Sequence, residues 1–280
     1  MWNVRIAFFV CIIAIANGCA ADNSGLPSAT QNTIESGTGA AEFLTSPSAL
    51  RRSLGPVRSQ WGASDVKIFE SDNWAGYAVV GSAFTEARGS WTVPKVDCVV
   101  NPNGAASFWV GIDGWNDRTV EQVGTESQCN GIEPVTYAWF EFAPKAGVTI
   151  TSVRVSPGED IAGEVHYNGS KFVVAITDLT TGAHFTTGAA VPRAKRASAE
   201  WIAESNGYTG LPDFDAVRFG KDFTRSHAAN FAKDSTTSGP IGAFGKRVQA
   251  SILGDKKKVE AVPSFLSLDG SSFTVTYWKP

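Results

Sequence analysis

The chain has 280 residues, with 24 Lys and Arg against 27 Asp and Glu, a formal net charge of −3 and four cysteines. No basic stripe interleaves with aromatics, which argues against a nucleic-acid partner, and Lys256-Lys257-Lys258 reads as one solvated loop. His166, His184 and His227 have no ligand-like spacing to one another or to the cysteines, so no metal and no other cofactor is expected.

Met1 to Arg5 carries one positive charge, an apolar run extends from Ile6 to Ala16, and Gly18, Cys19 and Ala20 are small. That layout predicts an export signal over 1–20. The apolar run is too short to cross a bilayer of roughly 30 Å as a helix. The product is therefore expected to be secreted or extracytoplasmic. Lipidation at Cys19 is the open alternative, with Asn17 the poor fit to such a site. Residues 21–68 are rich in Ser, Thr, Gly, Ala and Pro and cannot bury enough apolar surface to offset their ordering entropy. They read as a flexible linker or a removable pro-segment, with Arg51-Arg52 as the cleavage point of the second reading. Residues 69–280 suffice for one single-core domain. Cys98 and Cys129 remain as an even pair in an exported domain, where a disulfide is the expected state.

From Asp72 onward, short β-type runs alternate with turn residues. Strands are predicted over 74–80, 87–93, 106–112, 136–142, 160–167, 171–178, 183–187, 199–204, 215–219 and 272–278. Asn168-Gly169 marks a hairpin, because both positions tolerate positive φ. Pro94, Pro144 and Pro212 sit where a strand should end. About ten strands without helical periodicity predict an all-β fold, a two-sheet antiparallel β-sandwich with Phe, Val and Ile filling its core. By the period-two rule Tyr137, Trp139 and Glu141 share one face, as do Trp109, Gly111 and Asp113. Tryptophan beside carboxylate on one face predicts a polar, aromatic-lined groove, although a single buried Trp is more often core.

Amide hydrolysis needs a nucleophile, donors for the tetrahedral oxyanion and a proton for the leaving nitrogen. The chain has no Gly-x-Ser-x-Gly string and no paired Asp-Thr/Ser-Gly signature, and its two mature cysteines are expected to be bonded to each other. A carboxylate working on water is what remains. Three sets of residues narrow it. Gln122 lies in the string Trp109-Val-Gly-Ile-Asp-Gly-Trp-Asn-Asp-Arg-Thr-Val-Glu-Gln-Val-Gly-Thr125, and Glu204 closes Ala199-Glu-Trp-Ile-Ala-Glu204. Around them stand Asn73-Trp-Ala-Gly-Tyr77, Trp91-Thr-Val-Pro94 and Tyr137-Ala-Trp-Phe-Glu-Phe142.

In this order, from about Phe69 to the C-terminus, these strings resemble the glutamic peptidases of family G1, the eqolisins of scytalidoglutamic-peptidase type. The resemblance implies a concanavalin A-like or jelly-roll sandwich with a concave active face. It also implies a secreted acid endopeptidase acting as a monomer on polypeptides, and a pro-segment over 21–68. The implied catalytic pair is Gln122 and Glu204, with Trp74, Trp109, Asp113, Tyr137, Trp139 and Glu141 lining the cleft. Asp113 and Glu141 are candidates to orient the pair. Glu121 should point away from Gln122 if that segment is extended, whereas Glu200 shares a face with Glu204. Tyr137 stands where better-known fungal members carry Asp, the stretch from Asp113 to Gln122 is a residue shorter, and Lys and Arg are more numerous. A bacterial-type member active in moderate acid is therefore expected. Two other readings fit a Trp-lined groove: a glycoside hydrolase with Glu141 and Glu204 about 5–9.5 Å apart, or a carbohydrate-binding module. Only the peptidase needs Gln122.

Overall fold

Alternation of apolar and polar residues marks several of the strands, that over 160–167 among them. The structure, a computed structural model, describes residues 66–206, 209–220, 229–253 and 259–278. The export signal, Cys19, Arg51-Arg52, His227 and Lys256–Lys258 lie outside the described residues, as does the predicted linker up to residue 65.

In chain order the strands are β1 Val66–Ser71, β2 Trp74–Val80, β3 Glu86–Thr92, β4 Ala105–Ile112, β5 Glu121–Asn130 and β6 Glu133–Phe142. There follow β7 Val148–Ile150, β8 Asp160–Tyr167, β9 Phe172–Asp178, β10 His184–Ala189, β11 Ser198–Ser205 and β12 Ala216–Phe219. The last are β13 Phe231–Lys233, β14 Ser238–Pro240, β15 Arg247–Leu253, β16 Val259–Pro263 and β17 Phe273–Tyr277. Among the described residues the one helical element is a 3-10 turn over Ile241–Ala243. The chain is all-β.

Strand pairing forms two long runs. One is β1–β15–β2–β11–β4–β5–β6–β7. The other is β16–β17–β12–β3–β8–β9–β10, with the short β13 and β14 beside β3. β15 also pairs with β16, so the ladder passes from one run to the other and all 17 strands form one continuous sheet. The sheet thus lies nearer a barrel than the two separate layers expected. Its two runs share one apolar core, which includes Phe108, Val110 and Val123 from the first and Ile161, Val174, Phe219 and Phe273 from the second. Trp91 Nε1 donates to Thr125 Oγ1 (2.9 Å) and Trp201 Nε1 to the Arg88 carbonyl (2.9 Å), so both indoles bridge the runs.

One pairing departs from the antiparallel expectation: β1 runs parallel to β15. No tight turn joins these two strands, so the hairpin constraint that enforces antiparallel order does not act on them. The Asn168-Gly169 signal does form its hairpin, between β8 and β9, with Gly169 at φ +96° and the Asn168 N–H donating to the Lys171 carbonyl.

The ten predicted strands all form, within a residue or three at their ends, and seven more appear that periodicity does not reveal. The most consequential is β5, Glu-Gln-Val-Gly-Thr-Glu-Ser-Gln-Cys-Asn, whose composition reads as a loop. Pairing to β6 along its whole length and to β4 over residues 121–128 makes it a strand, and tertiary pairing overrides its weak propensity. The Cys98–Cys129 disulfide forms, tying the loop after β3 to the end of β5.

Candidate active site

Four neighbouring strands of the first run carry the polar and aromatic residues, and their register sorts them into rows. The first row is Glu200 (β11), Gly111 (β4), Gln122 (β5) and Glu141 (β6). The second is Ile202, Trp109, Gly124 and Trp139, and the third is Glu204, Ser107, Glu126 and Tyr137. On the far side of β11, Trp74 is opposite Glu204. Because successive side chains point to opposite faces, these residues share one face. Their neighbours Phe108, Val110, Val123 and Trp201 enter the main core on the other. Trp74, Trp109, Trp115 and Trp139 form a second, separate aromatic cluster with Ile202, and Tyr137 packs against it.

Glu204 is fully buried, and both of its oxygens are engaged. Asn73 Nδ2 donates to Oε1 (2.9 Å) and Trp109 Nε1 donates to Oε2 (2.8 Å). Two neutral N–H donors stabilise an ionised carboxylate and fix its plane without adding a charge. Asn73 is itself held: its N–H and that of Trp74 donate to Ser71 Oγ, and its carbonyl accepts from the Ser205 N–H. Trp74 meets Trp109 edge-on, with ring centroids 5.1 Å apart.

Gln122, also fully buried, donates from Nε2 to Glu141 Oε2 (2.6 Å). With the amide N–H on Glu141, the amide oxygen is the end turned elsewhere. Among the described residues Oε1 of Gln122 has no hydrogen-bond partner. Gln122 and Glu204 stand two rows apart, and Trp109 spans the interval. A Cβ added at Gly111 would lie 3.0 Å from Trp109 Cζ3 and 3.2 Å from Gln122 Cβ. The benzo end of the indole therefore reaches the Gln122 level while its N–H meets Glu204. Glycine at 111 is what allows the ring to lie there.

Asp113 follows β4 at φ +67°, which breaks the two-residue alternation from Gly111. Its buried carboxylate accepts from three backbone N–H groups: those of Lys195 (2.8 Å), Arg196 (2.7 Å) and Ala197 (2.7 Å). It thus pins the segment leading into β11. Burial, then the neighbouring Asp117, push its carboxyl up to about 6 against the pull of those N–H groups. A carboxyl raised in the folded state holds a proton that the unfolded chain releases. Its contribution to stability is therefore full below about pH 4 and lost as pH rises through about 6. Melting curves at pH 4 and pH 7 should show the higher midpoint in acid, and Asp113→Asn should flatten that difference. A wild-type midpoint that rises with pH would oppose the assignment.

Glu121 shares the opposite face with Ile112 and Phe142, pointing away from Gln122 as its position in the strand requires. Three neighbours escape sequence reasoning: Asn73, Ser107 and Glu126. Asn73 stands in the quoted Asn73–Tyr77 string. Glu126 becomes legible once β5 is known to be a strand, since positions 122, 124 and 126 then share a face.

A buried Gln and a buried Glu thus stand on one face of an all-β sheet, with a tryptophan between them. The profile of the Peptidase A4 family matches residues 72–255, and the chain belongs to that family and is a peptide hydrolase. It is 26% identical over 234 residues to Aspergillopepsin-2 of Aspergillus niger, covering 74% of this chain and 78% of that protein. Scytalidopepsin B of Scytalidium lignicola is 30% identical over 113 residues, covering 39% and 41%. Among solved structures, scytalido-glutamic peptidase with a transition state analog inhibitor superposes with a TM-score of 0.62 at 20% identity, over 74% of this chain and 99% of that one. The aspergilloglutamic peptidase of Aspergillus niger gives 0.50 at 27% identity, over 62% and 99%.

Proposed function

We propose that the chain is a secreted acid endopeptidase in which Glu204 and Gln122 hydrolyse polypeptides, on a fold whose two runs act as the layers of a β-sandwich. Ionised Glu204, held by Asn73 and Trp109, takes a proton from water as the water attacks the scissile carbonyl. Gln122 keeps one Nε2 hydrogen on Glu141 and turns the other to the forming oxyanion, while Oε1 can accept from the attacking water. Protonated Glu204 then delivers its proton to the departing amine. Tyr137, the half-buried member of the aromatic cluster, is the part an extended peptide would meet, with the buried Trp74, Trp109 and Trp139 supporting it. The disulfide accords with export to an oxidising compartment.

The observation that carries this reading is the pinning of Glu204 by two neutral donors on the face that also presents Gln122. The glycosidase alternative pairs Glu141 with Glu204 and gives Gln122 no part, yet Gln122 is fully buried on the same face with its amide on Glu141. Incubating the acid-matured protein with denatured casein and with a polysaccharide panel decides between them. Casein cleavage in moderate acid, unaffected by pepstatin, is expected, with no sugar released. Sugar release without casein cleavage, or a rate maximum at or above neutrality, would overturn the proposal.

A further inference from the structure

The third row of the site contains a carboxylate that the mechanism does not use. Glu126 is almost fully buried, and its two oxygens accept from two hydroxyls: Ser107 Oγ to Oε2 (2.7 Å) and Tyr137 OH to Oε1 (2.7 Å). On its other side Ser107 is the direct cross-strand neighbour of Glu204. Directly opposed residues of this kind have Cβ atoms about 4.5–5.5 Å apart, so one serine lies between two buried carboxyl groups. A serine hydroxyl has a single proton and can satisfy only one of them as donor.

We propose that Glu126 is a positioning residue for Glu204, acting through the Ser107 hydroxyl, which it holds when ionised and releases to Glu204 when protonated. This rests on the reading of Glu204 as the group that works on water. The protons balance in both states. With Glu126 ionised, the Ser107 O–H points to it and offers Glu204 only lone pairs. When Glu126 takes a proton from solvent, its own O–H donates to Ser107 Oγ, and the serine proton turns to Glu204. Glu204 then has a third donor beside Asn73 and Trp109 and no negative neighbour across β4.

The surroundings leave Glu126 little else to answer to. On this face its row and the adjoining ones present Gln122, Gln128 and Gly124 from its own strand, and Ser107, Trp109 and Ala105 from β4. From β6 come Tyr137, Trp139, Glu141 and Val135, and from β11, beyond β4, Glu204 and Glu200. None of these is Lys, Arg or His. Burial pushes the Glu126 carboxyl above the ordinary glutamate range, against the pull of its two hydroxyl donors, so the change of state falls at higher pH than for an exposed glutamate. The alkaline limb of activity would then report ionisation of Glu126, and the acid limb protonation of Glu204.

The test is the pH dependence of kcat and KM for wild type, Glu126→Gln, Ser107→Ala and Glu204→Gln, each checked for folding by circular dichroism. Glutamine at 126 mimics the protonated state permanently, so its alkaline limb should move up by about one pH unit or more. Ser107→Ala should lower kcat at the optimum about three- to tenfold with KM unchanged, as expected for one lost hydrogen bond. A Glu126→Gln limb coinciding with wild type overturns the proposal. Should that variant fail to fold, a Ser107→Ala enzyme with wild-type kcat and profile overturns it equally. Activity in Glu204→Gln would instead refute the underlying assignment, which keeps the two failures distinct.

Discussion

Glu204→Gln should lower kcat for peptide cleavage by about 10³–10⁴-fold, because the same carboxyl serves as base and then as acid. The replacement is close in shape, so the aromatic cluster around it should stay packed. One local mismatch is unavoidable. Asn73 Nδ2 and Trp109 Nε1 both donate to this group, and a side-chain amide has one oxygen to offer them. An N–H would then face an NH2, at a cost of about 1–3 kcal/mol. Loss of activity with a modest drop in thermal midpoint is the expected pair of results. Gln122→Ala removes the oxyanion donor and should cost about 10²–10³ in kcat. Turnover near wild type in either folded variant would refute the dyad.

Removing the Cys98–Cys129 bridge should carry the largest stability penalty. The bridge closes a loop with a sequence separation of 31, for which chain entropy gives about 3–4 kcal/mol of stabilisation. The thermal midpoint of the double Cys→Ser variant should fall by about 10 °C for a domain of this size. Catalysis in the fraction that remains folded should change little. β5 is paired to β6 along its whole length and to β4 over residues 121–128, so Gln122 keeps its place without the bridge. Scanning calorimetry beside an activity assay at 20 °C separates the two effects. An unchanged midpoint, or loss of kcat in fully folded protein, would contradict this account.

How much of this was legible beforehand varies with the kind of pattern. β8, with its polar–apolar alternation, and β9, a run of five apolar residues before Thr177 and Asp178, formed where they were expected. β5 did not announce itself, since its Glu, Gln, Ser and Asn carry little intrinsic strand preference. That one omission hid Glu126, although it lies only four residues from Gln122. Asp113 was legible as a residue of interest, but its placement was not. A positive φ after Ile112 turns its carboxylate to the 195–197 backbone rather than continuing the face of Trp109.

The sequence by itself determined that the chain is all-β, that Gln122 and Glu204 are its candidate chemical groups, and which residues of each recognised strand share a face. The shared faces follow from local order, because side-chain direction alternates every residue along an extended backbone, whereas Gln122 and Glu204 are marked by the resemblance of their strings to the glutamic peptidases. Only the tertiary structure decided who stands beside whom: Asn73 and Glu204 are 131 residues apart, and Trp109 and Glu204 are 95 apart. Lateral neighbours depend on which distant strands pair and in what register, and a single-residue slip would send every side chain to the other face.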